Sequence, residues 1–181
     1  TEELEDPYYL CIRLAIEKKI EEEGYKRQNI SCCDTIEMLA GVDGIICTGT
    51  FNKAMVERID SWDKPVVFID ACPDWRKFDS IVIDYKQAVT EILDYLIEKG
   101  HSKIGFIGGT EEGKEGSNHP DERAITFKEY LTKKGLFRSE YVKTGPYHAR
   151  YGYKLFKELY EEDNMPTAIF VSNDSVATGA Y

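Results

Sequence analysis

The chain has 181 residues, 42% hydrophobic and 31% charged, a balance that suits a soluble globular protein with length enough to bury a core. Its formal charge is -10 and it contains no block of consecutive Lys or Arg, which excludes the electrostatic footprint of a nucleic-acid binder acting by itself. An apolar run of about eighteen residues is also missing, which excludes a membrane-spanning helix. The chain opens without a signal-peptide pattern and begins abruptly, so an upstream segment is expected.

Five cysteines, at 11, 32, 33, 47 and 72, are odd in number and show neither CxxC nor Cys/His ligand spacing. They are expected to be reduced and mostly buried, which places the protein in the cytoplasm and leaves no metal site in view.

In chain order, Asp6-Pro7 opens a first helix, with Ile12, Ile16 and Ile20 on one face and Gly24 as its stop. A weak strand is predicted over 26–31 and a short helix over 34–39. The segment GVDGIICTG then reads as a buried strand over 42–47 running into a loop, followed by a helix over 53–61 and a strand over 65–69 with Asp70 at its end.

The stretch FDSIVIDYKQAVTEILDYLIEKGHSKIGFIGG carries the clearest pattern. Val89, Ile92, Leu93, Leu96 and Ile97 form a one-sided helical stripe, Gly100 stops it, and Ile104 to Ile107 is too short for a helix and closes on Gly108-Gly109. A strand-helix-strand unit of this kind requires parallel sheet. Beyond a polar, glycine-rich loop to Pro120, a helix is predicted over 121–134, a strand over 141–143, a helix over 147–162 and a strand over 168–171. Asn173-Asp174 opens a last helix, and the chain is expected to be a fragment, incomplete at both ends.

Ligands of open parallel α/β sheets sit outside the carboxyl ends of the strands. Asp6 to Tyr9, Thr48 to Phe51, Asp70, Gly108 to Thr110, Arg123, Tyr147 and Asn173-Asp174 are expected there. Short carboxylates, an amide, an arginine and aromatic rings suit a polyhydroxylated ligand, because Asp, Asn and Arg engage adjacent hydroxyls in paired hydrogen bonds while a ring covers the apolar face. Each also has a plainer reading. Asp6 and Asp174 are equally suited to capping helices, and Arg123 to pairing with Glu122 or Glu140 in solvent. Tyr8, Tyr9 and Tyr147 fit a core or rim, His101 a cap or packing role, and His119 and His148 loops. The glycines at 105, 108 and 109 do not make GxGxxG, and no GK[ST], GxSxG or HExxH occurs, so nothing supports catalysis, a nucleotide cofactor or any other cofactor.

Taken in order, DPYYLCIRLAIEKKIEEEGY, VDGIICTG, PVVFID, FDSIVIDYKQAVTEILDYLIEKGHSKIGFIGG and PTAIFVSNDSVATGAY resemble the effector-binding domain of the LacI/GalR family of bacterial transcription regulators. FDSIVID and GFIGG are most similar to its galactoside-responsive repressors from low-GC Gram-positive bacteria. The resemblance implies a two-lobed periplasmic-binding-protein-like α/β fold, with residues 1–82 in the first lobe and 83–181 in an incomplete second. It implies a sugar effector, a galactoside in the finer assignment, held by Asp70, Arg123, Asn173 and the ring of Tyr147; Asp6, Tyr8 and Asp174 join the candidate set from their places at a helix start or strand end. It also implies a homodimer that reaches operator DNA through an N-terminal helix-turn-helix absent from this chain. Two departures stand out: Thr126 occupies the usual glycine position of the arginine motif, and the segment from Tyr25 to Val42 is short. On this reading Arg123→Ala weakens sugar binding severely without unfolding the domain. A solute-binding protein of a sugar transporter and a flavodoxin-like or sugar-processing enzyme are the alternative readings.

Overall fold

The computed structural model describes residues 7–29, 41–49, 51–109 and 121–181. Helix α1 covers Tyr8–Glu22; strand β1 Ile45–Thr48, helix α2 Lys53–Asp60, and strands β2 Val66–Ile69 and β3 Asp79–Ile81 follow. Helix α3 covers Tyr85–Glu98, strand β4 Ile104–Gly109, helix α4 Glu122–Lys133, strand β5 Val142–Gly145, helix α5 Ala149–Tyr160, strand β6 Ala168–Val171 and helix α6 Asp174–Ala180. A 3-10 turn, Ser139–Tyr141, leads into β5.

Helices and strands mostly alternate along the chain, β2 and β3 being joined by a loop instead, and every described pairing is parallel. They form two sheets, one in the order β1-β2-β3 and the other in the order β5-β4-β6. The second is the better covered. All six residues of its central strand β4 are buried, and the side chains alternate between two helical layers. Ile104 and Phe106 pack with Val89, Leu93, Phe127 and Leu131 from α3 and α4, while Ile107 packs with Leu155, Leu159 and Val176 from α5 and α6. Burying side chains of this size contributes about 1.5–3 kcal/mol each, which fixes this sheet as the scaffold for what lies at its end. In the first sheet Cys47, Val66 and Phe68 form the core with Ile59 of α2.

Helices α5 and α6 touch backbone to backbone. A Cβ on Gly152 would stand 2.0 Å from the Val176 carbonyl oxygen, and one on Gly179 would stand 1.6 Å from that of Ala149. Two positions without side chains thus set the height of α6 above the sheet.

Several expectations hold in detail. Gly24, Gly100 and Gly135 each end a helix with positive φ, and the residue after each glycine donates back five positions, as Tyr25 N–H does to the Ile20 carbonyl at 3.0 Å. Others need correction. Pro7 sits at the N-cap of α1 rather than inside its first turn, and Asp6 lies outside the described residues. Residues 26–29 form no strand, and the remainder of that predicted strand, with the predicted helix 34–39, lies outside the described residues. Ile92 is 38% exposed, because α4 covers a narrower arc of α3 than the five-residue stripe. The helix predicted from Tyr147 begins at Ala149, which leaves Tyr147 in the loop after β5. Cys47 is buried, but Cys11 lies on the outer face of α1 and Cys72 in the loop after β2, both exposed, which corrects the expectation of mostly buried thiols; Cys32 and Cys33 fall outside the described residues.

Candidate functional site

The carboxyl end of β2 delivers Asp70. Its backbone takes the left-handed conformation, φ 62°, and its N–H donates to the Ile81 carbonyl of β3 at 2.8 Å, so the residue is held by both strands as the chain turns. Left-handed backbone is uncommon outside glycine, and Asp is among the residues that tolerate it. The carboxylate accepts from the Tyr9 hydroxyl at 3.0 Å and, over a longer 3.4 Å, from that of Tyr85.

Tyr85 opens α3, the helix that carries the chain from the first sheet into the second. Asp84 caps that helix by accepting from Gln87 N–H at 2.8 Å, which fixes the direction in which Tyr85 leaves the backbone. Its hydroxyl points to Asp70 and its ring lies 4.8 Å from the guanidinium carbon of Arg123. The same tyrosine therefore touches the end of one sheet and the arginine of the other.

Arg123 lies in the first turn of α4 and Asp121 is the N-cap of that helix. The Asp121 carboxylate accepts from Arg123 N–H at 2.9 Å, and the Nε of Arg123 donates to its two oxygens at 2.8 and 3.1 Å. Nη1 donates to the Ser172 carbonyl at 2.8 Å and Nη2 to the Tyr147 hydroxyl at 3.0 Å, while the Tyr147 hydroxyl donates to Asp121 at 3.0 Å. The Tyr147 ring covers the guanidinium from 5.5 Å. With side chains only 17% and 10% exposed, Arg123 and Asp121 form a partly buried ion pair that the phenol ties into a closed triangle.

The electrostatics follow. Burial works against the Arg123 cation, but the hydrogen bonds and charge of Asp121 outweigh it and hold the guanidinium above its ordinary value. Burial raises the Tyr147 phenol, and the negative charge of Asp121 adds to it; burial and then Asp70 do the same for Tyr8 and Tyr85. The phenols are thus neutral donors at physiological pH.

Gly109 explains how Tyr147 fits. A Cβ there would stand 2.0 Å from the Tyr147 ring, so the ring lies directly on the backbone where β4 ends. Gly109 N–H donates to Ser172 Oγ at 3.3 Å, which ties the ends of β4 and β6 together beside Arg123.

Of the residues singled out from sequence, the structure brings Tyr8, Asp70, Arg123 and Tyr147 into one connected cluster, with Tyr9 beside them. Asn173 stands one residue past the Ser172 carbonyl that Arg123 holds, and its side chain caps α6 by accepting from Val176 N–H at 3.0 Å. Asp174 is exposed in the first turn of α6 and the cap is Asn173, which settles the capping alternative in favour of the asparagine. Asp6, Thr50, Thr110 and His119 lie outside the described residues. His101 Nδ1 is 3.0 Å from Thr167 Oγ1, a packing contact away from the cluster. Tyr85, Asp121 and Ser172 were missed. Asp121, two residues before Arg123 at a helix start, carried a readable signal; Tyr85 and Ser172 act through contacts between distant segments.

Among the described residues no helix is long and apolar enough to cross a membrane. The chain is 32% identical over 188 residues to the HTH-type transcriptional repressor MelR of Bacillus subtilis (strain 168), covering 99% of this chain and 54% of that protein. It is 32% identical over 183 residues to the HTH-type transcriptional regulator GanR of the same strain, covering 98% and 56%. The chain thus spans about half the length of these curated relatives, which are transcriptional regulators. Among solved structures it is similar to the transcription regulator CcpA of Lactococcus lactis, with a TM-score of 0.73 at 24% identity over 96% of this chain and 66% of that one. It is also similar to the Escherichia coli transcriptional repressor ascG, with a TM-score of 0.77 at 20% identity over 96% and 66%. Residues 1–181 match the family described as periplasmic binding proteins and sugar binding domain of LacI family, and the chain belongs to that family.

Proposed function

We propose that this chain is the effector-sensing part of a LacI/GalR-type regulator and that a neutral-faced, hydroxyl-rich sugar binds between the carboxyl ends of its two sheets. The observation that carries the reading is the bridge from Asp70 through Tyr85 to Arg123, which joins a carboxylate at one sheet end to a guanidinium at the other. Asp70 accepts from sugar hydroxyls on one side; Arg123 and Asn173 meet them on the other, and the rings of Tyr147 and Tyr85 cover apolar faces of the pyranose. Tyr8 and Asp174 belong to the rim of the same space, and Asp6 is proposed as a further ligand group on its place in the sequence alone.

The lobes divide at about Ile83, as 1–82 and 83–181, with Ser80 to Asp84 as the crossing that flexes. Effector favours the arrangement of lobes it binds better, and in a cytoplasmic homodimer that shift changes the spacing of helix-turn-helix heads supplied by an N-terminal domain on operator DNA. The regulator names of the curated relatives favour this over a transporter's solute-binding protein or a sugar-processing enzyme. The finer assignment, a galactoside, rests on the FDSIVID and GFIGG segments.

A thermal-shift screen of galactosides, glucosides and pentoses against the full-length regulator tests the proposal, since a ligand of the native state must raise its apparent stability. A concentration-dependent rise with one sugar class, together with altered operator affinity in its presence, is the expected result. A rise with no sugar in the panel would remove the sensing role.

A further inference from the structure

Resting on that reading, the geometry points to Asp121 as the residue that makes this site select uncharged sugars over their phosphate esters.

An arginine at the end of a strand is by itself an equally good partner for a hydroxyl pair and for a phosphate, and its fork suits the phosphate better. What decides between them is how much of its charge and how many of its N–H groups are still available. Arg123 has little of either. Its Nε faces both oxygens of Asp121, one N–H of Nη1 goes to the Ser172 carbonyl, and one of Nη2 goes to the Tyr147 hydroxyl. Of the five N–H groups a guanidinium carries, these contacts occupy three and leave one on each Nη. The rings of Tyr85 and Tyr147, 4.8 and 5.5 Å away, cover its surfaces. What the ligand meets is an edge with two donors, the match for two adjacent hydroxyl oxygens.

The charge balance points the same way. Asp121 neutralises Arg123 at hydrogen-bond distance, and Tyr85 brings Asp70, a second carboxylate, into the same cluster. Two carboxylates and one guanidinium leave the described cluster with a net negative charge. A phosphate monoester carries between one and a half and two negative charges, about the value at neutral pH, so it meets repulsion from both carboxylates and an arginine already paired. A neutral polyol meets acceptors on Asp70 and donors on Arg123 at no such cost. The site is partly shielded from solvent, which lengthens the reach of these charges compared with open surface.

The experiment is calorimetric titration of the full-length regulator, at low ionic strength, with galactose, lactose, glucose, galactose 6-phosphate, glucose 6-phosphate and inorganic phosphate. The expected result is that the best free sugar binds about tenfold or more tightly than its 6-phosphate, and that inorganic phosphate does not displace it. Asp121→Asn keeps a good helix cap and removes the charge, so the gap between free sugar and phosphate ester should narrow by about tenfold in that variant. A wild-type protein that prefers a sugar phosphate overturns the inference and leaves sugar sensing standing. An unchanged ratio in Asp121→Asn overturns the role of Asp121 alone. Failure of the intact protein to bind any of the probes counts against the sensing role, and the selectivity falls with it.

Discussion

The ring of Tyr85 lies 4.8 Å from the guanidinium of Arg123 while its hydroxyl reaches Asp70 at 3.4 Å, so one side chain from the start of α3 spans the ends of both sheets. The hydroxyl contact is long for an O–H donor and contributes little, whereas the cation over the ring is partly desolvated and contributes about 0.5–2 kcal/mol. Tyr85→Phe should therefore bind effector within about twofold of wild type, and Tyr85→Ala about tenfold more weakly. Isothermal titration of both variants separates the two contacts; equal losses would assign the effect to the hydroxyl instead.

Arg123, proposed above as a sugar contact, is also structural. Arg123→Ala is expected to leave the domain folded but less stable, because the change strands the Asp121 carboxylate, 10% exposed, without its cation. Breaking a buried pair from one side costs about 3–5 kcal/mol. Arg123→Ala should lower the denaturation midpoint along with sugar affinity, and the double variant Arg123→Ala/Asp121→Ala should recover part of the stability and none of the affinity. A single variant as stable as wild type in urea would show that the pair is not a structural element.

Gly109→Ala is a test of Tyr147. The added methyl would stand 2.0 Å from the ring, which must swing off the end of β4 and take its hydroxyl away from Arg123 and Asp121. Overpacking of this kind costs about 1–3 kcal/mol, and the loss of the ring's position should weaken sugar binding about tenfold. If Tyr147→Ala and Gly109→Ala both weaken binding but their effects fail to overlap in the double variant, the glycine acts by another route.

Alkaline pH should loosen the first sheet. Burial pushes the Cys47 thiol from an ordinary value of 9.0 up to about 11, so its folded-state value lies above its unfolded one. Its contribution is complete below pH 9, and the unfolded chain gains thiolate as pH rises from there towards 11, which lowers stability. Raised phenols at Tyr8, Tyr85 and Tyr147 act with the same sign at still higher pH. Thermal melts between pH 7 and 11 should show a decline that begins near pH 9 and is shallower in Cys47→Ser; identical slopes would exclude the thiol as the titrating group.

Much of the scaffold was legible because its causes are local. The spacing of Val89 and Leu93 announces α3, and Gly24, Gly100 and Gly135 end helices for a reason that resides in the residue itself. Asp70, Arg123 and Tyr147 could be named from their places at strand ends or helix starts. Asp121 was visible as a helix start but not as the partner of Arg123, since a cap and an ion pair use the same carboxylate. Tyr85 and Ser172 could not be found from spacing, because each matters through a contact with a segment 38 or 49 residues away, which no local pattern encodes.

The left-handed backbone at Asp70 limits how this site can change over evolutionary time or in the hands of an engineer. Only Asp, Asn and Gly enter that conformation readily, and β-branched or bulky residues do so at a cost of about 1–3 kcal/mol. The repertoire at position 70 is therefore narrow before any ligand is considered. Positions 121, 123 and 147 have ordinary backbone, and retuning for a new effector is cheapest there, with Asp70 kept as the fixed point around which the rest is rewritten.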